Sequence, residues 1–381
     1  MPWIWENPAW PAFRYDEAAL RPVLRDCVAA SGRLGGMTAA ISADQQARDA
    51  LDAQLQNIIT SSAIEGERLN EDAVRSSLAK RLGVAAPERR PTARAEGLAG
   101  LQVDATEHYN APMTMDRLFQ WHRLLFPDDP HAVLPQHVRP GELRGDEPMQ
   151  VVSGPIGRQR VHFEAPPRDR VDAELTSFLD WFAQSRGSRD LDPFVRAGIT
   201  HLWFVTIHPF EDGNGRLTRA LTDLALAQAE HQAVRFHAMS ASILADREGY
   251  YRMLEATQRA DMDVTRWLQW FLTTLLASYQ AAFARIDRVL HKARFWHTFK
   301  HQHFNEQQLK VLNKMLDSDG QDFPHVIGVR QYMGASGASK PTATRHLADL
   351  VEKGALIKLP GVGKATRYQL GDMSPPERQP E

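Results

Sequence analysis

At 381 residues, the chain is long for one compact domain and fits two or three at roughly 100–200 residues each. Hydrophobic residues make up 43% and charged residues 24%, which excludes a wholly disordered chain and a coiled-coil rod. Forty-five Lys and Arg against 47 Asp and Glu leave a net charge of −2, so any nucleic-acid contact must be confined to one module.

Cys27 stands alone, cannot form an internal disulfide or a cysteine zinc site, and points to a reducing compartment. The start, MPWIWENPAWP, has neither the basic flank nor the apolar core of a signal peptide. The most apolar long stretch, Trp267 to Ala277, is broken by Gln269 and two threonines and is too short to span a bilayer. The expectation is a cytoplasmic protein with no membrane partner.

In chain order, Trp3, Trp5, Trp10, Phe13 and Tyr15 lie between prolines, which suits an irregular arm docked on a neighbouring domain. From Asp44 the spacing of Leu51, Leu55, Ile58, Ile59 and Ser62 predicts a helix, and Gly83 and Pro87 close an N-terminal unit over 1–90. The next unit, 91–275, predicts helices at Leu118–Phe126, Leu175–Phe182 and Ile199–Ile207. Between them, 149–167 has two β-prone runs around the Gly154–Gly157 turn and predicts a hairpin. A helix from Trp267 to about His297 carries the chain onward, with 276–304 expected as a linker helix.

Residues 305–371 have the pattern of a winged helix. A helix containing Leu309, Leu312 and Leu316 precedes a short one near Val329. A third has Ser339 as N-cap, Pro341 in its first turn, Gly354 at its end, and Leu347, Leu350 and Val351 inward. ALIKLPGVGKATRYQL then reads as two strands joined by the wing. Nine Lys and Arg against six Asp and Glu make this segment locally basic. Lys340, Thr342, Thr344 and Arg345 are the candidate DNA contacts on the third helix. Residues 372–381 are expected to be disordered. The fold class is mainly α, with one hairpin and a small α+β C-terminal domain.

The chemistry concentrates in HPFEDGNGRLTR (208–219). Pro209 pushes His208 out of the α region and displays it as a candidate general base. Gly213, Asn214 and Gly215 place small residues at a loop-to-helix junction, where free N–H groups and the helix dipole cradle an anion. Asp212 offers a hard oxygen for Mg²⁺ shared with phosphates. Arg216 and Arg219, three apart, put two guanidinium groups on one helical face.

This segment resembles, without departure, the signature of the Fic family, HPFx(D/E)GNGRxxR, and the resemblance extends over about 90–275. It implies a Fic-type helical core that transfers AMP from ATP to a Ser, Thr or Tyr hydroxyl of a target protein. His208 would be the catalytic base, Asp212 the metal ligand, and Arg216 and Arg219 the holders of the β- and γ-phosphates. Val151, Val152, Ser153 and Gly154 match the family flap that clamps the target by strand addition. EGYYRMLEATQ (248–258) matches its nucleoside-pocket helix, with Tyr250, Tyr251, Leu254 and Gln258 forming the adenine slot.

SSAIEG (61–66) is similar to the family's inhibitory motif, (S/T)xxxE(G/N), with Ser61 and Glu65 in register. Glu65 falls where the apolar stripe through Ile58 would continue, and an inward carboxylate needs a cationic partner. The resemblance implies that the partner is Arg219 and that the pair silences the enzyme. Glu65 could also orient a water so that the site removes AMP. A DNA-binding regulator whose core only senses nucleotide is the alternative from another class, and a homodimer is left open. GVGKAT (361–366) lacks the spacing and hydroxyl of a P-loop. His297, His301 and His303 are not expected to hold metal, and His201 is expected to pack in the core.

Overall fold

Tryptophan and proline keep the first residues irregular, apart from one 3-10 turn at Ile4–Glu6. Trp3 packs edge-on against Phe163 with ring centroids 5.4 Å apart, Trp10 and Phe13 meet Trp203, and the Trp5 indole donates to the Glu164 carbonyl at 2.7 Å. This is the docked arm the sequence predicts. The computed structural model describes residues 2–85, 90–127, 138–154, 158, 160–232, 236–318, 323–360 and 366–371. The chain divides into two compact units, Met1–Ala282 and Phe283–Glu381.

In the first unit, α1 (Glu17–Ala39) begins where the Asp16 carboxylate accepts from the N–H groups of Ala18 and Ala19, and it buries Leu20, Cys27 and Leu34. Burial pushes the Cys27 thiol up to about 12, so it is an inert core group. α2 (Ala43–Ile64), capped by Ser42, buries Leu51, Leu55, Ile58 and Ser62. α3 (Glu71–Leu82) stops at Gly83, whose φ of 67° is left-handed. Pro87 lies outside the described residues.

α4 (Ala93–Glu107) and α5 (Met115–Leu125) precede the antiparallel hairpin of β1 (Gln150–Ser153) and β2 (Arg160–Glu164). After α6 (Arg168–Gln184), α7 (Pro193–Ile207) starts with Asp192 as cap and Pro193 in its first turn. Every residue from Phe194 to Ile207 is buried, so α7 is the central helix, apolar on all sides. α8 (Asn214–Glu230) packs along it, and the six residues between them form the turn that carries the site. α9 (Met239–Ala245) and α10 (Arg247–Gln258) follow.

α11 (Thr265–Thr298) runs slightly beyond the predicted Trp267–His297. The expected linker over 276–304 is not a separate element. Its last part supplies Phe295 and Phe299 to the core of the second unit, where they join Leu312, Tyr332, Leu347 and Leu350. Apolar rings at that end are better buried than left on a solvated connector.

The second unit contains α12 (Glu306–Asp317), β3 (Val326–Ile327), α13 (Val329–Ser336), α14 (Lys340–Glu352), β4 (Leu356–Lys358) and β5 (Tyr368–Leu370). The strands form an antiparallel sheet in the order β3-β5-β4. Leu347 and Leu350 are fully buried, while Leu309 is 37% exposed. Residues 361–365, within the expected wing, and 372–381, the expected disordered tail, lie outside the described residues. No described helix is long and apolar enough to cross a membrane.

Candidate active site

His208 terminates α7 in left-handed backbone, φ 50° and ψ 57°. Pro209 explains the departure from the helix, because the residue before a proline is disfavoured in the α region. Nδ1 lies 3.1 Å from the Val205 carbonyl. A carbonyl only accepts, so Nδ1 carries the proton and Nε2 keeps the lone pair a base requires. Burial pushes the His208 pKa below its ordinary value, against the opposing pull of the Val205 contact, which keeps the ring neutral near pH 7. Arg144, 2% exposed, donates Nε to the His208 carbonyl at 2.9 Å and Nη2 to the Pro166 carbonyl. His122 stacks on Phe210 at 4.1 Å and contacts the Asp212 carbonyl at 3.2 Å.

The turn that follows is fixed from within. Gly213, the N-cap of α8, has φ 82°, and a Cβ there would lie 2.8 Å from the Phe126 ring. Asn214 folds back on Phe210, accepting its N–H at 3.0 Å and donating to its carbonyl at 2.8 Å. Its side chain is therefore committed to the loop. What remains for an anion is the free N–H set at the start of α8.

His208, Asp212, Gly213, Asn214 and Gly215 share a cavity of about 490 Å³ with Val151, Val152 and Ser153 of β1 and Tyr250, Tyr251, Leu254 and Gln258 of α10. Gly154 is not among its lining residues. Tyr250 is 2% exposed, with its hydroxyl 2.9 Å from Nε2 of His201, whose Nδ1 meets Thr222 at 2.9 Å. His201 is thus the core histidine expected. Gln258 donates to Thr206 at 3.2 Å, and the Tyr251 hydroxyl donates to the Ile64 carbonyl at 3.3 Å.

Arg216 and Arg219 do not line the cavity; the end of α2 and the segment after it hold both. Arg219, 3% exposed, donates Nε to the Ser61 hydroxyl and Nη2 to the Ser61 carbonyl, each at 2.8 Å. The same Nη2 lies 2.8 Å from Oε1 of Glu65, the C-cap residue of α2. Glu65 fits because residue 215 is glycine: a Cβ there would stand 2.1 Å from Oε1. Arg216 pairs with Glu67 at 2.6 Å and with Asp212 at 3.3 Å, and Arg94 grips Glu67 at 2.8 and 2.7 Å. Burial pushes the Glu67 pKa up, but the hydrogen bonds and charges of Arg94 and Arg216 outweigh it and hold the carboxyl below the usual range. Nη1 of Arg219 and Nε of Arg216 are buried with no hydrogen-bond partner.

Sequence reasoning missed Glu67, Arg94, Arg144 and His122. The one signal available was Glu67 itself, a second carboxylate two residues after Glu65. Among the described residues no group of three or more His, Cys, Asp or Glu could hold a metal. Asp212, with a side chain 58% exposed at the cavity, suits a Mg²⁺ whose other ligands are substrate phosphates and waters. In the second unit, Lys340, Thr344 and Arg345 are exposed on α14 and Thr342 is half-buried.

Residues 112–226 match the model described as Fic/DOC family, and residues 3–84 match Domain of unknown function (DUF4172). A curated relative, Protein adenylyltransferase Fic of Nematostella vectensis, is 27% identical over 220 residues, 55% of this chain and 45% of that one. A Uridine 5'-monophosphate transferase of Xanthomonas campestris is 27% identical over 140 residues, 33% of this chain and 23% of that one. The chain thus spans less than half the length of these relatives. Among solved structures, a Fic family protein from Desulfovibrio desulfuricans matches with TM-score 0.50 and 21% identity, covering 92% of this chain and 96% of that one. Residues 112–226 are thus similar to the Fic/DOC family, and the mainly helical fold is shared with Fic structures.

Proposed function

We propose that the protein is a self-inhibited adenylyltransferase that moves AMP from ATP to a Ser, Thr or Tyr hydroxyl of a target protein. The observation that carries this reading is one cavity lined by a neutral His208, the α8 N-terminus with Asp212, and the β1 strand. His208 Nε2 takes the proton of the target hydroxyl, whose oxygen attacks the α-phosphorus while pyrophosphate leaves. The Gly213–Gly215 amides receive the phosphates, and α10 holds the base between Tyr251, Leu254 and Gln258. Mg²⁺ held by Asp212 and the phosphates would offset charge on the leaving group. β1 offers its edge to an extended target segment, whose main chain then fixes the hydroxyl over the phosphorus.

The Glu65–Arg219 contact at 2.8 Å supports self-inhibition, since it occupies an arginine that a triphosphate needs. Because Glu65 also lines the cavity beside His208, it can orient a water, which favours AMP removal as a second activity of the same site. The second unit is read as a winged helix, and the exposed Lys340, Thr344 and Arg345 of α14 favour DNA contact there.

The test uses Mg²⁺ and α-labelled ATP with cell lysate as acceptor. Label on lysate proteins with Glu65→Gly, weak with wild type and absent with Glu65→Gly/His208→Ala, is the expected result. Equal labelling by wild type and Glu65→Gly would overturn the inhibition. No label with any variant would shift the reading to AMP removal or to a DNA-binding regulator, the latter detected as operator binding lost in Arg345→Ala but kept in His208→Ala.

A further inference from the structure

Arg288, His291 and Arg294 follow one another at three-residue steps near the end of α11, so their side chains share one helical face. That face lines a hollow of about 500 Å³ within the second unit, together with Met315 and Leu316 of α12, His325 and Val326 at β3, and Leu370 of β5. Met315 and Leu316 are buried members of the unit's core, so the floor is apolar. The walls are cationic: two guanidinium groups and two imidazoles against one lining acid, Asp287.

These cationic groups hold little else. Arg288, His291 and His325 make no hydrogen bond or ion pair with any described residue, and Arg294 uses only Nε, 3.3 Å from the Leu290 carbonyl. The neighbouring Asp317 carboxylate is taken by Lys292 at 2.7 and 2.8 Å and does not neutralise them. Arg294 and His325 are exposed to water, whereas Arg288 and His291 are half-buried. Burial lowers the His291 pKa, and the charges of Arg294 and His325 lower it further. The three groups therefore repel one another across the hollow. An anion set among them would offset that repulsion and favour the protonated ring.

We propose that this hollow is a binding site for a small organic phosphate, a phosphoryl head carried on an apolar body. Arg288 and Arg294 present forked donors that match phosphoryl oxygens, and His291 and His325 complete the set. A phosphoryl dianion brings two charges and three oxygens to four cationic groups, where a carboxylate brings one charge and two oxygens. The apolar body lies over Met315, Leu316 and Leu370. The site shares no residue with the cavity of His208, so the inference goes beyond the transferase reading and does not depend on it.

The experiment is titration of the full chain, carrying ¹³C-labelled histidine, with phenyl phosphate. The histidine ring signals are followed by NMR between about pH 5 and 8, and those of His291 and His325 are assigned through His291→Gln and His325→Gln. Saturating ligand is expected to raise the His291 midpoint by about one pH unit, a tenfold preference for the protonated ring. Affinity should accordingly rise as pH falls through that midpoint. Arg288→Ala/Arg294→Ala should abolish the shift. Because the same variant removes repulsion, its His291 midpoint without ligand should lie above that of wild type, which also reports that the unit is folded. A shift that survives the arginine substitutions overturns the site. So does an equal shift with sodium chloride at matched ionic strength, which is screening alone. Displacement of phenyl phosphate by random-sequence duplex DNA overturns it too, by assigning the cluster to a nucleic-acid backbone.

Discussion

Glu67 Oε2 lies 2.6 Å from Nη1 of Arg216 and also takes a hydrogen bond from Arg94 Nη2 at 2.7 Å. Two carboxylates of one short segment thus hold the two arginines of HPFEDGNGRLTR, Glu65 holding Arg219 and Glu67 holding Arg216. A triphosphate seeking Arg216 must displace Glu67. Hydrogen bonds to charged groups are worth about 1.5–3 kcal/mol, so Glu67→Gln is expected to tighten ATP binding by about tenfold, or about 1.4 kcal/mol. Titration calorimetry on the full chain with Mg²⁺-ATP reads this directly. An unchanged or weaker Kd would mean that Glu67 orients Arg216 for the nucleotide instead of withholding it.

For Glu65→Gly, activity and stability are expected to move in opposite directions. Arg219 is 3% exposed, but the Glu65 side chain is 31% exposed, so water screens the pair. Its loss should cost about 1–2 kcal/mol, below the roughly 3–5 kcal/mol of a fully buried pair. The thermal midpoint should fall by a few degrees while transfer to lysate proteins rises. A variant that gains activity with no loss in Tm would show that the pair regulates without stabilising.

Asn214 separates a structural role from a nucleotide contact. Its amide satisfies both backbone groups of Phe210 and is 2% exposed. Asn214→Ala leaves a buried N–H and C=O unpaired, at about 1–3 kcal/mol each, and loosens the turn that positions His208 and Gly213. Urea denaturation should show a clear fall in midpoint without nucleotide. If Asn214 served ATP alone, the midpoint would not move and only KM would rise.

What the sequence showed and what it hid follow from the range of the interactions. Local signals were legible: the apolar stripe of α2, the Pro209 effect on His208, the hairpin, and the third helix of the second unit between Ser339 and Gly354. α1 was hidden because Pro22, Gly32, Gly35 and Gly36 mask a helix that is fixed by the Asp16 cap and the burial of Leu20, Cys27 and Leu34. Spacing placed Arg216 and Arg219 on one helical face but could not show that Glu67, 149 residues away, fills the space beside Arg216. Arg144 and His122 are likewise known only by contacts distant in sequence, with the His208 and Asp212 carbonyls.

His201 gives the fold a pH dependence of predictable sign. Burial, then the nearby charge of Arg219, lowers its pKa to about 3 from the ordinary 6.5. Between these values the unfolded chain binds a proton that the folded chain refuses. The contribution is therefore fully present above pH 6.5 and is lost as pH falls toward 3. The slope is at most about 1.4 kcal/mol per pH unit. Lowered carboxylates such as Asp104 and Glu67 add their own loss only near and below their ordinary values, under pH 5. Urea midpoints measured between pH 7 and 5 isolate the histidine limb. Wild type should lose stability over that interval, and His201→Gln, which has no titratable group at this position, should lessen the slope, the remainder coming from His122 and His208, whose pKa values burial also lowers. An equal slope in both would place the proton uptake elsewhere.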